Sequence, residues 1–264
     1  VMRLGIIGAT GWLGSALGRA VLERGLVAGP ELVLLNRSGV RLDYHGRTDV
    51  AWASDVSDLV ARVEVVVVAV RPEDYGDLAL HAPGRLVLSF MAGIPMAALS
   101  GAGGRIVRAM PNAAAGHGQS YTPWLAAADV TQADRVVVRA VLATIGTQDE
   151  IGTEAQIDSL TALSGSGAAY PALMAAGMLA HARASGLPEP VARRAVEAVV
   201  CQAAELLRGR IETAADLVET YRAYRGTTAA GLEVAEANGF SGSIAQALDA
   251  ATRKAAHMGR DKDA

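Results

Sequence analysis

Three glycines at a spacing of three, Gly8, Gly11 and Gly14, stand in "RLGIIGATGWLGSALG" between a short apolar run and a helix-like stretch. With no side chains there, backbone N–H groups can close on a pyrophosphate, which then faces the positive end of the helix. The same pattern also serves plain strand-to-helix packing, so the turn alone leaves both readings open. The next apolar run, "ELVLL", ends in Asn36, Arg37 and Ser38. A nucleotide fold that prefers NAD carries an acidic residue at that place for the ribose hydroxyls. An amide, a guanidinium and a hydroxyl suit a 2′-phosphate instead, which points to NADP(H) in preference to NAD(H). A solvated turn is the plainer reading of Arg37. Much later, Gly226-Thr227-Thr228 opens a helical stretch, where backbone N–H groups, hydroxyls and the helix end favour a carboxylate. An ordinary helix cap looks the same.

Other chemistries are excluded by what the chain lacks. Of 24 basic residues only Lys254 and Lys262 are lysines. A Walker-type phosphate loop needs a lysine after its glycines and is ruled out; Schiff-base chemistry is disfavoured. Cys201 is the single cysteine, so neither an internal disulfide nor a multi-cysteine metal site can form. On an apolar helical face it reads as core. The histidines His45, His81, His117, His181 and His257 show no ligand spacing and read as surface or loop residues, and no metal is expected. The net charge of −3 carries no basic patch, which sets nucleic acid aside. The longest uncharged stretch, 159–180, is broken by Gly165, Gly167 and Pro171 and reads as a buried interface helix rather than a membrane span. No basic region and apolar signal core precede the first glycines, so a cytoplasmic enzyme is expected.

The elements that must position these residues follow from periodicity. The 264 residues, 51% hydrophobic, suffice for one large or two modest domains. Strands are expected at Arg3–Gly8, Glu31–Leu35, Val63–Val70, Arg85–Phe90 and Arg105–Ala109, with a helix over Trp12–Glu23. "VEVVVVAV" is a continuous valine run, as a strand covered on both faces requires. Such alternation implies βαβ units and a doubly wound, Rossmann-like α/β sheet. Beyond Gly152 only helical spacing is seen, over 168–185, 190–208, 214–224, 227–237 and 243–258, punctuated by "SGLPEP" and "ANGFSG". The boundary is therefore placed there: residues 1–152 form an NADP-binding Rossmann-like domain, and 153–264 an all-helical dimerisation and substrate domain.

Five stretches, in order, resemble the pyrroline-5-carboxylate reductase family: "AVRPEDY" (69–75), "SFMAGI" (89–94), "RAMPNAAAGHG" (108–118), "LSGSGAAY" (163–170) and "GTTAAGLEVAEANGF" (226–240). The resemblance covers nearly the whole chain. It implies reduction of the cyclic imine 1-pyrroline-5-carboxylate to proline, with hydride from NADPH delivered to the C=N carbon. It places the nucleotide against Gly8, Thr10, Gly11, Trp12 and Leu13, and the Asn36–Ser38 turn. Further contacts would come from Ala69, Val70, Arg71, Pro72, Ala92 and Gly93, and from Asn112 near the nicotinamide. The imino acid would lie against Met110, Pro111 and Asn112, with Arg225, Gly226, Thr227 and Thr228 around its carboxylate. Thr228 would hydrogen-bond the ring nitrogen or the carboxylate and is the one side chain given a catalytic role.

The missing lysine fits that chemistry. The β-hydroxyacid dehydrogenases share the two-domain plan but need a lysine to move a proton at the alcohol oxygen. A protonated cyclic imine already carries the charge that hydride attack requires, so positioning and preorganised dipoles are the main task. The resemblance further implies an obligate homodimer with interlocked helices, and leaves open whether dimers build a larger assembly.

Two departures stand out. "GATGWLG" has Thr10 at the family's usual second glycine. "ETYRAYRG" has Tyr224 and Arg225 where the family has Pro-Gly. Arg225 either pairs with a second anionic group or faces solvent. A reductase of a different imine, and a nucleotide-binding homologue without turnover, are the alternatives that these departures keep open.

Overall fold

The computed structural model describes residues 2–258. In chain order the first elements are β1 (Leu4–Ile7), α1 (Trp12–Glu23), β2 (Leu32–Leu35), β3 (Ala51–Trp52), α2 (Val56–Arg62) and β4 (Val65–Val68). They are followed by β5 (Leu86–Ser89), α3 (Met96–Ser100), β6 (Arg105–Ala109), β7 (Ser120–Ala126), α4 (Gln132–Ala143) and β8 (Gly146–Glu150). The eight strands form one sheet in the order β3-β2-β1-β4-β5-β6-β7-β8. Every neighbouring pair is parallel except β6 and β7.

The valine run explains why the sheet is covered on both faces. Side chains alternate along a strand. Val65 and Val67 of β4 join Leu4, Ile6, Leu17 and Val21 in one apolar layer. Val66 and Val68 join Leu59, Val60 and Leu99 in the other. Chain order reverses beside β1, with β2 on one side and β4 on the other. Such a switch point opens a crevice at the carboxyl ends of the strands, which is where open α/β sheets bind ligands.

Two arginines brace the far half of the sheet. Arg108 on β6 is buried and meets Glu154 at 2.7 Å and Asp158 at 3.5 Å, both on α5 (Glu154–Leu160). Arg105 grips Asp134 in the first turn of α4 through two bonds of 2.8 and 2.9 Å. Asp134 also accepts from the Thr131 hydroxyl and N–H, completing a capping box.

The Arg105 guanidinium, with Thr131 assisting, holds the Asp134 carboxyl down at about 2 against its burial. Asp134 therefore stabilises the fold above the ordinary carboxylate value, and that contribution is lost as pH falls from about 4 towards 2. The difference from 3.8 corresponds to about 2.5 kcal/mol. Asp134→Asn is expected to lower stability near neutrality by about that amount. Its melting temperature should then fall less steeply than the wild type's between pH 4 and 2, as followed by circular dichroism. Parallel curves would rule out the Asp134 pairing as the cause.

The chain divides into two compact units. One comprises the residues up to Gly167 together with those from Leu248 on; it contains the sheet and α5. The other, Ala168–Ala247, is helical throughout. It holds α6 (Ala169–Ala184), α7 (Glu189–Glu197), α8 (Ala214–Ala223), α9 (Thr227–Ala237) and the start of α10 (Phe240–His257). The single helix expected over 190–208 is divided. α7 gives way to a π-helical turn, Ala198–Gln202, and a 3-10 turn, Ala203–Leu207.

Cys201 sits on that π turn and is exposed, not core as its apolar neighbours suggested. Val199 and Leu206 around it are about half exposed as well. The apolar face it belongs to points out of the unit rather than into it. No helix among the described residues is long and apolar enough to cross a membrane.

Candidate functional site

β1 ends at Ile7 and the chain turns at once into α1. Gly8 has φ +86°, and a Cβ there would stand 2.6 Å from the Ala69 carbonyl oxygen. Gly14 lets α1 close onto the turn, since a Cβ would overlap the Gly8 carbonyl. Two of the three glycines are thus required by packing. The packing they permit still leaves a lined cleft. The N–H groups of Gly8 and Ala9 both donate to the Leu35 carbonyl, at 2.9 and 3.2 Å, which ties the turn to β2. The first-turn N–H groups of α1, including those of Trp12 and Leu13, have no carbonyl of their own helix to reach.

This turn forms one wall of a cavity of about 750 Å³, within the range of about 300–1,000 Å³ common for ligand and cofactor clefts. Gly8, Thr10 and Gly11 line it together with Asn36, Arg37 and Ser38 from the end of β2 and Ala69, Val70 and Arg71 after β4. Nine of the expected cofactor residues therefore converge from three separate strands on one crevice. Trp12, Leu13, Pro72, Ala92, Gly93 and Asn112 do not line it. Trp12 is largely exposed on the first turn of α1, and Pro72 opens a 3-10 turn, Pro72–Asp74, rather than an α-helix. Gly93 has φ +72° and lies under Ala255 and Met258, where a Cβ would be crowded.

The part of the cavity lined by Arg37, Arg71 and Asp74 carries mixed charge. Arg37 reaches Asp74 at 3.5 Å, and Arg71 reaches the same carboxylate at 3.1 Å and Glu73 at 3.2 Å. Asp74 thus holds two guanidiniums side by side, and the pairing raises Arg71 above its usual value. Asn36 donates to the Ser38 hydroxyl, so the turn after β2 is closed on itself.

Ser54, Asp55, Val56, Asp77 and Leu78 also line the cavity and were not expected there. "SDVSD" contains the signal that would have found the first three. Asp55 caps α2 by accepting from the Asp58 N–H at 2.8 Å, and the Ser57 hydroxyl holds its carboxyl low.

Met110 and Pro111 are buried beyond β6, and Asn112 is partly buried. The Asn112 side chain is occupied: its amide oxygen accepts from the Ala114 N–H at 2.9 Å and its amino group donates to the Ser164 carbonyl at 2.9 Å. Ser164 lies in a second π-helical turn, Thr161–Gly165. Asn112 therefore shapes its own loop, with one amino hydrogen left over.

Arg225, Gly226, Thr227 and Thr228 belong to the helical unit. Gly226 is the residue before α9 and no side chain caps that helix, so its first N–H groups stay open. Thr227 and Thr228 are exposed. Arg225 has φ +54°, a conformation costing a non-glycine residue about 1–2 kcal/mol. The resemblance puts a glycine at this position. Arg225→Gly is expected to raise the melting temperature by about 2–4 °C. An unchanged or lower value by scanning calorimetry would mean that the arginine side chain offsets its own strain.

The five histidines are exposed. A glycine turn between the first strand and helix, at the switch point of a parallel sheet, with a polar turn ending the second strand, defines a Rossmann-like dinucleotide-binding protein. Comparison with known proteins refines this. Residues 3–93 match a family model described as NADP oxidoreductase, coenzyme F420-dependent, and residues 154–258 one described as pyrroline-5-carboxylate reductase dimerisation. The chain is 31% identical to the pyrroline-5-carboxylate reductase of Synechocystis, covering 98% of this chain and 99% of that protein. It is 32% identical to that of Thermus thermophilus, covering 99% and 100%. In fold it resembles the Plasmodium falciparum pyrroline carboxylate reductase solved with NADP bound, with a TM-score of 0.86 at 24% identity over 98% of each chain. The chain belongs to the pyrroline-5-carboxylate reductase family.

Proposed function

We propose that this chain reduces 1-pyrroline-5-carboxylate to proline with NADPH, and that residues 1–152 hold the nucleotide while 153–264 serve substrate and dimerisation. The observation that carries the reading is the crevice at β1, β2 and β4, where Gly8, Thr10 and Gly11 face Asn36–Ser38 and Ala69–Arg71. These groups suit the cofactor. A Cβ at Gly8 would push the turn off the Ala69 carbonyl, the Thr10 N–H donates to no atom of the described residues, and Arg37 supplies a cation for a 2′-phosphate. Bound NADPH supplies hydride to the C=N carbon of the protonated imine, leaving a secondary amine and NADP⁺.

The chain's own part is to bind and orient. The open N–H groups before α9, with the backbone of Gly226 and Thr227, hold the substrate carboxylate, where the helix end favours negative charge. Thr228 donates to or accepts from the ring nitrogen or the carboxylate. Met110, Pro111 and Asn112 wall the ring, and Ala92 and Gly93 support the nicotinamide side. No protein acid is required, because the substrate nitrogen arrives protonated.

The apolar side chains exposed on the helical unit, among them Leu173, Val199, Leu206 and Phe240, suit burial in a homodimer. A cytoplasmic setting fits a free exposed thiol. The exposed Tyr224 and Arg225 favour one second reading, a cyclic imino acid bearing another anionic group.

The test follows NADPH absorbance with 1-pyrroline-5-carboxylate and a panel of cyclic imino acids, with proline measured as product. Tight NADPH binding without oxidation by any imine would sink the reductase reading. Oxidation only with a dianionic imine would select the second.

A further inference from the structure

We propose that Tyr44, on the loop between β2 and β3, is a positioning residue for the dinucleotide pyrophosphate: its buried hydroxyl holds the Ala9 carbonyl inward so that the Thr10 N–H faces the cleft. The proposal rests on the nucleotide reading above.

Tyr44 is 3% exposed, and its hydroxyl donates to the Ala9 carbonyl at 2.9 Å; the Gly14 carbonyl lies 3.5 Å away. No other group among the described residues donates to the Ala9 oxygen, and Ala9 is fully buried. The Ala9–Thr10 peptide is trans, so its C=O and N–H point in opposite directions. Fixing the carbonyl towards the core therefore fixes the Thr10 N–H away from it. Thr10 lines the cavity, and its N–H has no partner among the described residues. The other end of the turn is held from β2 through Leu35. The hydroxyl supplies the second anchor, and without it the peptide is free to rotate.

The chain makes room for this contact. A Cβ at Gly18 would overlap the Tyr44 hydroxyl and stand 2.8 Å from the ring carbon that bears it, so only glycine on α1 admits the ring. Trp52 meets that ring edge-on at 6.0 Å and His45 at 4.6 Å. Tyr44 and Arg47 exchange backbone hydrogen bonds of 2.9 and 3.1 Å, which close the loop behind the ring. His45 in turn contacts the Ser15 hydroxyl on α1 at 3.0 Å. Burial pushes the Tyr44 hydroxyl above its usual value, so it stays protonated and able to donate.

The experiment compares the wild type with Tyr44→Phe, which keeps the ring and removes only the donor. Dissociation constants are measured for NADPH and for adenosine 2′-monophosphate, a fragment with the 2′-phosphate but no pyrophosphate. Tyr44→Phe is expected to weaken NADPH about tenfold and raise its KM similarly, with kcat at saturation and fragment binding within about twofold of wild type. A general loss of structure would weaken both ligands together, and that result overturns the proposal, as does unchanged NADPH affinity. A wild type that fails to bind NADPH overturns the nucleotide reading, and this proposal with it. Gly18→Ala, which displaces the ring from the other side, should give the same split between the two ligands. It serves if the phenylalanine variant proves unstable.

Discussion

Gly8→Ala is expected to weaken NADPH binding about 100-fold, the upper worth of a hydrogen bond to a charged group. The new methyl group would stand 2.6 Å from the Ala69 carbonyl oxygen and 2.9 Å from its carbon. Ala69 cannot retreat, because its N–H bonds the Ile7 carbonyl at 2.9 Å in line with the β1–β4 ladder. The backbone at φ +86° adds a further cost of about 1–2 kcal/mol for a residue with a side chain. The turn therefore has to move, and the N–H groups of Thr10, Trp12 and Leu13 move with it.

Gly25→Ala is the control. Gly25 also has positive φ, at +67°, yet nothing lies within 4 Å of where its Cβ would be. It should lose stability but keep its affinity in a fluorescence titration with NADPH. Near-normal affinity in Gly8→Ala would mean that the nucleotide does not lie on this turn.

The second large effect concerns the choice between nucleotides. Arg37→Ser is expected to raise the KM for NADPH about 10- to 100-fold, the worth of a hydrogen bond to a charged group, and to leave that for NADH within about twofold. Arg37 is 83% exposed and only loosely paired with Asp74 at 3.5 Å, so a phosphate can recruit it without breaking a buried contact. The closer Arg71–Asp74 bond, at 3.1 Å, keeps that carboxylate occupied when Arg37 turns away. Because the cluster is solvated, the discrimination should shrink as ionic strength rises. Steady-state kinetics with both nucleotides at two salt concentrations checks this. Equal losses for NADPH and NADH would place Arg37 away from the 2′-phosphate.

Much of the sheet was legible because its inner strands are buried on both faces. β1, β2 and β4 are unbroken apolar runs, β5 and β6 are apolar apart from Ser89, Arg105 and Arg108, and each strand falls within one or two residues of its expected limits. β3, β7 and β8 escaped notice for physical reasons. β3 has only two residues, β7 contains Ser120, Thr122 and Pro123, and β8 reads "GTQDE" on a partly exposed edge. β3 and β8 bury little and need no apolar pattern, whereas β7 is buried but places hydroxyls and a proline at buried positions, which breaks the apolar run.

The cavity follows the same logic. Gly8–Gly11, Asn36–Ser38 and Ala69–Arg71 were found because each directly follows a legible strand. Ser54–Val56 follow the two-residue β3, and Asp77 and Leu78 lie in a 3-10 turn, so neither group is announced by periodicity. Tyr44 was invisible for a different reason. The nearby apolar residues Val40 and Leu42 are exposed, and its burial depends on a glycine 26 positions earlier that no local pattern connects to it.

That pairing constrains the order in which the two positions can change during evolution. While the aromatic ring is present, any side chain on the helix beneath it is rejected. Once the ring is lost, the helix is free to accept alanine, which favours helix over glycine by about 1 kcal/mol. The aromatic residue could then return only after that gain had been given up. The loop substitution has to come first and the helix substitution second, so the path is easy in one direction and blocked in the other.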